Sequence, residues 1–264
     1  MPLSAFAARY DHLLLDLDGC VWLGEELTER AVQALEAWRA AGRALAFVTN
    51  ETRMSEQDFV RKLWRLGVQA SVEEVVTAGG ALQHLLAQRP DLRTAFVIGA
   101  PAVWEHVEGA GKRIVNHTAF AERADVVVVA AHEALGYEEL TMAVRSAARG
   151  APVVALNRDA TFPRDDGLHA GTGAVVAAVE YAAGVRAISV GKPESQPFLT
   201  ALDRLGPGRA LMVGDRVDAD VAGAYAAGID AALVLTGVTA SAPEEDVPGL
   251  VRTAASLAEL VLGP

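Results

Sequence analysis

Apolar residues along this chain follow two alternating rhythms. Short, continuous apolar runs rich in Val, Leu and Ile recur as HLLLDLD (12–18), RALAFVTN (43–50), TAFVIGA (94–100), ADVVVVAA (124–131), APVVALN (151–157), AISVGK (187–192), RALMVGD (209–215) and DAALVLTG (230–237). Runs this apolar predict strands buried on both faces. Between most of them, apolar residues recur at three- and four-residue spacing, as in TERAVQALEAWRAAG (28–42) and YEELTMAVRSAARG (137–150), which predicts amphipathic helices. Strand, helix, strand, helix argues for an α/β fold: a doubly wound parallel sheet with a Rossmann-like core and helices on both faces.

In such sheets ligands bind beyond the carboxyl ends of the strands. The first run ends in Asp16 and Asp18, the second in Thr49 and Asn50, another in Lys192, and RALMVGD in Asp215, followed by Asp218 and Asp220. The pattern therefore predicts carboxylates, a hydroxyl and an ammonium at one sheet edge. Two carboxylates after three leucines need compensation, because burying charge is costly. A hard divalent cation such as Mg²⁺ would compensate it, held by one or two carboxylates, waters and substrate phosphate oxygens. A carboxylate can also attack phosphorus, and a second one can protonate the leaving oxygen. A Thr hydroxyl and a Lys point charge suit the equatorial oxygens of a transferring phosphoryl group.

Composition narrows the classes. The 264 residues are 52% hydrophobic, long enough for a large core or for two domains. With 23 basic and 34 acidic residues the net charge is −11, which argues against nucleic acid or an anionic membrane as partner. The single cysteine, Cys20, excludes an intramolecular disulfide and suits a reducing cytoplasm. No apolar run reaches the length of a membrane helix, and MPLSAFAARYDH lacks the apolar segment of a signal peptide. GTGAVV at 171–176 lacks the third glycine of a dinucleotide fingerprint and reads as a helix start.

Four motifs in order, DLDG, VTN, VGKP and VGDRVDAD, resemble those of the haloacid dehalogenase superfamily, in its NagD-like, nitrophenylphosphatase-type branch. The middle segment NRDATFPRDDGLHAGTGAVVAAVEYAAG (157–184) is similar to that branch's cap insertion. The resemblance implies a Mg²⁺-dependent phosphatase acting on small phosphate monoesters through an aspartyl-phosphate. It implies Asp16 as nucleophile and metal ligand, and Asp18 as general acid/base with its carbonyl on the metal. Thr49 and Lys192 would hold the phosphoryl group, Asp215 would ligate Mg²⁺, and Asp220 would orient the metal's water shell. Asn50, Arg53 and Phe162 are the expected substrate contacts. The placement of the four motifs, with Pro90 and Gly184 closing helix patterns, predicts a core domain over residues 1–90 and 187–264 and an inserted cap over 91–186 acting as a lid, and the resemblance implies pairing of two copies through the cap as one arrangement. A phosphotransferase using the same intermediate, and a phosphorylatable receiver-like module, are the alternatives. Two positions depart from the branch: Glu51 stands where a second Asn is common, and Ala219 where Thr is common. Glu51 is expected either to pair with Arg53 or to face the substrate.

Overall fold

The structure is a computed structural model that describes all residues except Glu133, Asp165 and Asp166, with the side chains of 162–164 and 168 also left undescribed. Among the described residues there are fifteen strands. They are β1 (His12–Leu15), β2 (Trp22–Leu23), β3 (Glu26–Leu27), β4 (Ala44–Thr49), β5 (Val75–Thr77), β6 (Thr94–Ile98), β7 (Arg113–Ile114), β8 (Val126–Val129), β9 (Val153–Ala155), β10 (Thr161–Arg164), β11 (Gly167–Ala170), β12 (Ile188–Ser189), β13 (Ala210–Gly214), β14 (Asp230–Val234) and β15 (Leu250–Ala254). The nine α-helices are α1 (Ala31–Ala40), α2 (Glu56–Arg65), α3 (Ala78–Ala87), α4 (Pro101–Gly109), α5 (Tyr137–Ala148), α6 (Thr172–Ala183), α7 (Gln196–Leu205), α8 (Ala222–Ala226) and α9 (Leu257–Leu262). None of these helices is long and apolar enough to cross a membrane.

The chain divides into two compact units. One comprises Met1–Thr49, Glu56–Val76 and Lys192–Pro264, and the other Asn50–Ser55 and Thr77–Gly191. The first unit is built on a six-stranded sheet in the order β15-β14-β13-β1-β4-β5. β1 pairs in parallel with both β4 and β13, and β13–β14 and β14–β15 are also parallel. The HLLL of β1 is buried along its whole length, as its lack of polar positions requires. Each of its leucines removed from water is worth on the order of 2 kcal/mol. Leu14, Ala46, Val48, Met212 and Leu233 form one face with Phe198 and Ala201 of α7 and Ala224 of α8. Leu13, Leu15, Leu45 and Phe47, the alternate positions, are equally buried on the other face.

The second unit holds a five-stranded parallel sheet, β12-β9-β8-β6-β7, and the separate antiparallel hairpin β10–β11. The four valines of β8 show how it is sandwiched. Val126 and Val128 pack with Leu82, Leu86, Val103 and Val107 of α3 and α4. Val127 and Val129 pack with Ala143 and Ala147 of α5 and Val176 and Val179 of α6. One run differs from the sequence expectation. AISVGK contributes only the two-residue β12, which pairs with β9 in this second sheet and not with the first unit's strands. Two residues of strand are too few to carry a periodicity, so the pattern could not tell which sheet would take them.

Candidate active site

The strand order of the first unit reverses between β1 and β13: from β1 the chain moves outward to β4 and β5, then returns to fill β13, β14 and β15 on the other side. Such a reversal opens a crevice at the carboxyl ends of the two strands. The register sets what lines it. Leu15 lies opposite Phe47 and Val213, so Asp16 follows at the level of Val48 and Gly214, and its N–H donates to the Val213 carbonyl at 2.9 Å. Asp215 comes one residue after β13, and Thr49 is the last residue of β4. The parallel pairing thus delivers these three groups to one edge.

Asp220 arrives by a different device. Residues Val217–Val221 form a π-helical turn in which the Val221 N–H reaches back to the Arg216 carbonyl at 3.2 Å. A widened turn of this kind recurs at functional sites. It brings Asp220 against Gly214, where a Cβ would stand 2.2 Å from the Asp220 carboxyl carbon. Gly19 of the DLDG motif is needed for both of its properties. Its φ is +89°, and a Cβ there would lie 2.4 Å from Asp215 Oδ2. Asp218, on the same turn, pairs with Arg216 at 2.9 and 3.0 Å.

Lys192 ties the carboxylates together. Its Nζ donates to Asp16 Oδ1 at 2.5 Å and to Asp220 Oδ1 at 2.7 Å. Lys192 is 3% exposed, Asp16 7%, and Asp215 and Asp220 1% each. Asp220 Oδ2 accepts the Arg216 N–H at 3.0 Å, and Asp215 Oδ2 accepts the Val238 N–H at 2.5 Å. Asp215 Oδ1 is buried and, among the described residues, accepts no hydrogen bond. Three buried carboxylates against one ammonium leave excess negative charge. Burial, with Asp220 and Asp215 adding to it, drives the Asp16 carboxyl well above its usual range against the pull of Lys192. Burial likewise raises Asp215. Burial alone would depress Lys192, but Asp16 and Asp220 together hold its ammonium firmly charged.

This arrangement suits a hard divalent cation. One carboxylate oxygen from each of Asp16, Asp215 and Asp220 lies within 4.8 Å of the others, the donors are all oxygen, and Asp215 carries an oxygen that accepts no hydrogen bond among the described residues. Such a cation would neutralise the crowding that otherwise forces a proton onto a carboxyl.

Asp18 is exposed, one turn beyond the buried set, and its Oδ1 accepts a hydrogen bond from the Trp22 indole N–H at 2.8 Å. Trp22 is buried, stacked on Phe59 of α2 with ring centroids 6.5 Å apart, with Lys62 Nζ 4.5 Å over its ring. Sequence reading did not single out Trp22. A tryptophan four residues after an aspartate carries no periodic signal, and it is the turn over 17–22, in which the Trp22 N–H donates to the Leu17 carbonyl at 3.1 Å and the Gly19 N–H to the Trp22 carbonyl at 2.7 Å, that brings it back.

The remaining expected contacts lie in the second unit. Asn50 donates to Asp159 Oδ2 at 3.4 Å. Glu51 pairs with Arg53, whose Nε donates to Oε1 at 2.8 Å, and the same oxygen caps the Thr52 and Arg53 N–H groups, each at 2.8 Å. Burial pushes the Glu51 carboxyl up, but Arg53 and these N–H donors outweigh it and hold it below its ordinary value. Of the two orientations expected for Glu51, the structure has the pair. Phe162 falls on β10, and its side chain lies outside the described residues.

A doubly wound sheet with acidic groups and one lysine gathered at its switch point has the layout of an enzyme of phosphoryl transfer. Comparison with known proteins agrees. The family model described as haloacid dehalogenase-like hydrolase matches residues 13–113, and a second, HAD-hydrolase-like, matches 189–260. The D-glycerol 3-phosphate phosphatase of Mycobacterium tuberculosis is 38% identical over 241 residues, 90% of this chain and 67% of that protein. The sugar-phosphatase AraL of Bacillus subtilis is 30% identical over 229 residues, 85% of this chain and 83% of that protein. The crystal structure of the Mycobacterium tuberculosis glycerol phosphate phosphatase in complex with magnesium superposes with a TM-score of 0.88 at 35% identity, covering 98% of this chain and 79% of that one. The chain belongs to the haloacid dehalogenase-like hydrolases, among the phosphatases of the NagD-like branch.

Proposed function

We propose that this protein hydrolyses phosphate monoesters of small polyols and sugars, with Asp16 as the nucleophile. The observation that carries the reading is the buried cluster of Asp16, Asp215 and Asp220, with Lys192 bridging Asp16 and Asp220 and Asp215 Oδ1 unpartnered among the described residues. A buried set with this imbalance suits a phosphoryl group and its cation far better than a structural role. The substrate class follows from the relatives, whose names are those of a glycerol phosphate phosphatase and a sugar phosphatase.

The Asp16 carboxylate attacks phosphorus in line with the ester oxygen, forming an aspartyl-phosphate as the P–O bond to the leaving group breaks. Asp18 gives its proton to the departing oxygen. In the second half a water attacks the aspartyl-phosphate, Asp18 takes the water's proton, and inorganic phosphate and free Asp16 result. Thr49 and Lys192 hold the phosphoryl oxygens, and Lys192 exchanges part of its contact with Asp16 for them as charge moves outward. Asp16, Asp215 and the Asp18 carbonyl would hold Mg²⁺, with Asp220 orienting its waters. When bound, the ion supplies the positive charge that lets carboxylate and phosphate approach one another. Inserted residues 91–186 act as the lid that selects the leaving group. The lone, buried Cys20 is in keeping with a cytoplasmic setting.

The test is turnover of 4-nitrophenyl phosphate, glycerol phosphates and sugar phosphates with and without Mg²⁺. The wild type turns over repeatedly with Mg²⁺, and Asp16→Asn does not while remaining folded. A single equivalent of phosphate retained on the protein without turnover would point instead to a receiver-like module. Full activity of Asp16→Asn would remove the nucleophile.

A further inference from the structure

The chain passes between its two units at four peptide bonds: Thr49–Asn50, Ser55–Glu56, Val76–Thr77 and Gly191–Lys192. Two of these adjoin the residues assigned above to the phosphoryl group, Thr49 and Lys192. On the second unit's side, the neighbours of both are fastened at one place, the loop that follows β9.

Asn157 is 5% exposed and uses both ends of its amide. Its Nδ2 donates to the backbone carbonyl of Asn50 at 2.8 Å, and its Oδ1 accepts the Asp159 N–H at 3.1 Å. The Asp159 carboxylate in turn accepts from the Asn50 side chain at 3.4 Å. Asn50 is thus held at its carbonyl and at its amide. Gly191 lies against the same point: a Cβ there would stand 2.4 Å from the Leu156 carbonyl oxygen and 2.6 Å from Asn50 Oδ1. Only a glycine lets the second crossing pass this close to the first.

The loop doing the holding is itself braced. The Asp159 carbonyl accepts the Gly173 N–H at 2.9 Å, and the Ala160 carbonyl accepts the Gly171 N–H at 2.8 Å, tying the loop to the start of α6. Arg158 forks onto Glu180 of α6 at 2.7 and 3.3 Å and donates to the Ala187 carbonyl at 2.9 Å, just before β12. A buried amide bonded at both ends to backbone costs most when one end is broken. Its partner is a carbonyl 107 residues away in sequence that neighbours a phosphate-binding residue.

We propose that Asn157 is a positioning residue for phosphoryl transfer: by pinning the Asn50 carbonyl beside Gly191 it sets the backbone on which Thr49 and Lys192 are carried. This rests on the phosphatase reading above. Thr49 is separated from the pinned carbonyl only by the backbone dihedrals of Asn50 and its own. Lys192 is the next residue after Gly191. A misplacement of about 1 Å at a reacting group costs on the order of a hundredfold in rate, so a loose anchor one residue away is felt in catalysis.

The test compares the wild type with Asn157→Asp, which keeps the acceptor for the Asp159 N–H and replaces the donor to Asn50 with a carboxylate oxygen that repels the Asn50 carbonyl. Three quantities are read: kcat and KM for 4-nitrophenyl phosphate, the inhibition constant of orthovanadate as a five-coordinate probe, and the Mg²⁺ concentration for half-maximal rate. We expect kcat to fall roughly 10- to 100-fold, vanadate inhibition to weaken in parallel, KM to change less than about threefold, and half-saturation by Mg²⁺ to stay within about twofold. A loss of folded molecules would lower the apparent kcat but move no inhibition constant. Should Asn157→Asp fail to fold by circular dichroism, Asn157→Ala, which removes the same donor to Asn50 without adding a charge, is expected to give the same pattern. An active wild type with either folded variant unchanged in kcat and vanadate inhibition overturns this proposal alone. A wild type inert toward phosphate esters overturns the phosphatase reading and this proposal with it.

Discussion

Lys192→Met separates the electrostatic account of the site from its catalytic account, because its first readout is stability. The ammonium sits 2.5 Å from Asp16 and 2.7 Å from Asp220, with all three groups buried. At an effective dielectric constant of about 20 each contact is worth roughly 6 kcal/mol of attraction before desolvation. Most of that repays the cost of burying the charges. What remains visible is the penalty for removing one partner and leaving the others unpaired, about 3–5 kcal/mol. That lowers the melting temperature by on the order of 10 °C. The assay is urea and thermal unfolding in EDTA, then in saturating Mg²⁺. In EDTA the variant shows the full loss. With Mg²⁺ at about a hundred times its dissociation constant, binding returns up to roughly 2.7 kcal/mol. Adding Asp220→Leu to Lys192→Met removes one of the stranded carboxylates and recovers part of the loss even in EDTA, a coupling that a double-mutant cycle isolates. A Lys192→Met protein as stable as the wild type in EDTA refutes the reasoning, since it would mean that the carboxylates need no counter-charge.

Three further outcomes follow from other parts of the structure. Trp22→Phe keeps the stack on Phe59 but loses the indole N–H to Asp18, so it should slow alkyl phosphates several-fold more than 4-nitrophenyl phosphate; equal slowing would separate Trp22 from the proton transfer. Glu51→Asn releases Arg53 from its partner and should raise kcat/KM by several-fold, on the order of 1 kcal/mol, for substrates with a second anionic group near the ester, leaving 4-nitrophenyl phosphate unchanged. Asp125 accepts from the N–H groups of Arg93 and Thr94 at 2.9 and 2.8 Å and from the Thr94 hydroxyl at 2.9 Å. Burial pushes its carboxyl up, but these donors and the Arg93 charge hold it below the ordinary range. Asp125→Ala should therefore cost about 1–2 kcal/mol at neutral pH. Because the folded-state pKa is depressed, the contribution is complete above the unfolded value near pH 4 and is lost as pH falls through the folded one; urea midpoints of wild type and variant should converge below about pH 4.

The parts of the molecule that could be read from the chain are those written in local patterns. HLLL and VVVV had to be strands covered on both faces, and they are. Asp16 and Asp215 were marked by carboxylates standing where apolar runs stop, and the register of β1 with β13 brings them together; Asp220 was set apart from Asp218 only by the motif it belongs to. The strand leading to Lys192 was legible as apolar but not as to its sheet, since two residues hold no register information. Trp22 and Asn157 were not legible. Trp22 meets Asp18 through a turn, and Asn157 reaches a carbonyl 107 residues away, and neither leaves a trace in spacing. Glu51 was legible as an oddity, and its pairing with Arg53 is local enough for both expected orientations to have been named beforehand.

The π-helical turn at Val217–Val221 makes the last motif a matter of counting more than of composition. A turn of this kind holds one residue more than an α-turn. Each residue added or removed swings those that follow by about 100° around the helix axis. Ala219 can therefore stand where the motif led one to expect Thr, because its place in the count is what the turn uses. Deleting Val217 or Ala219 would leave every carboxylate in the sequence and still turn Asp220 away from Lys192. Tolerance to substitution and intolerance to a change in length are, at this corner, two faces of the same geometry: the segment works as a ruler, and only its two ends need particular chemistry.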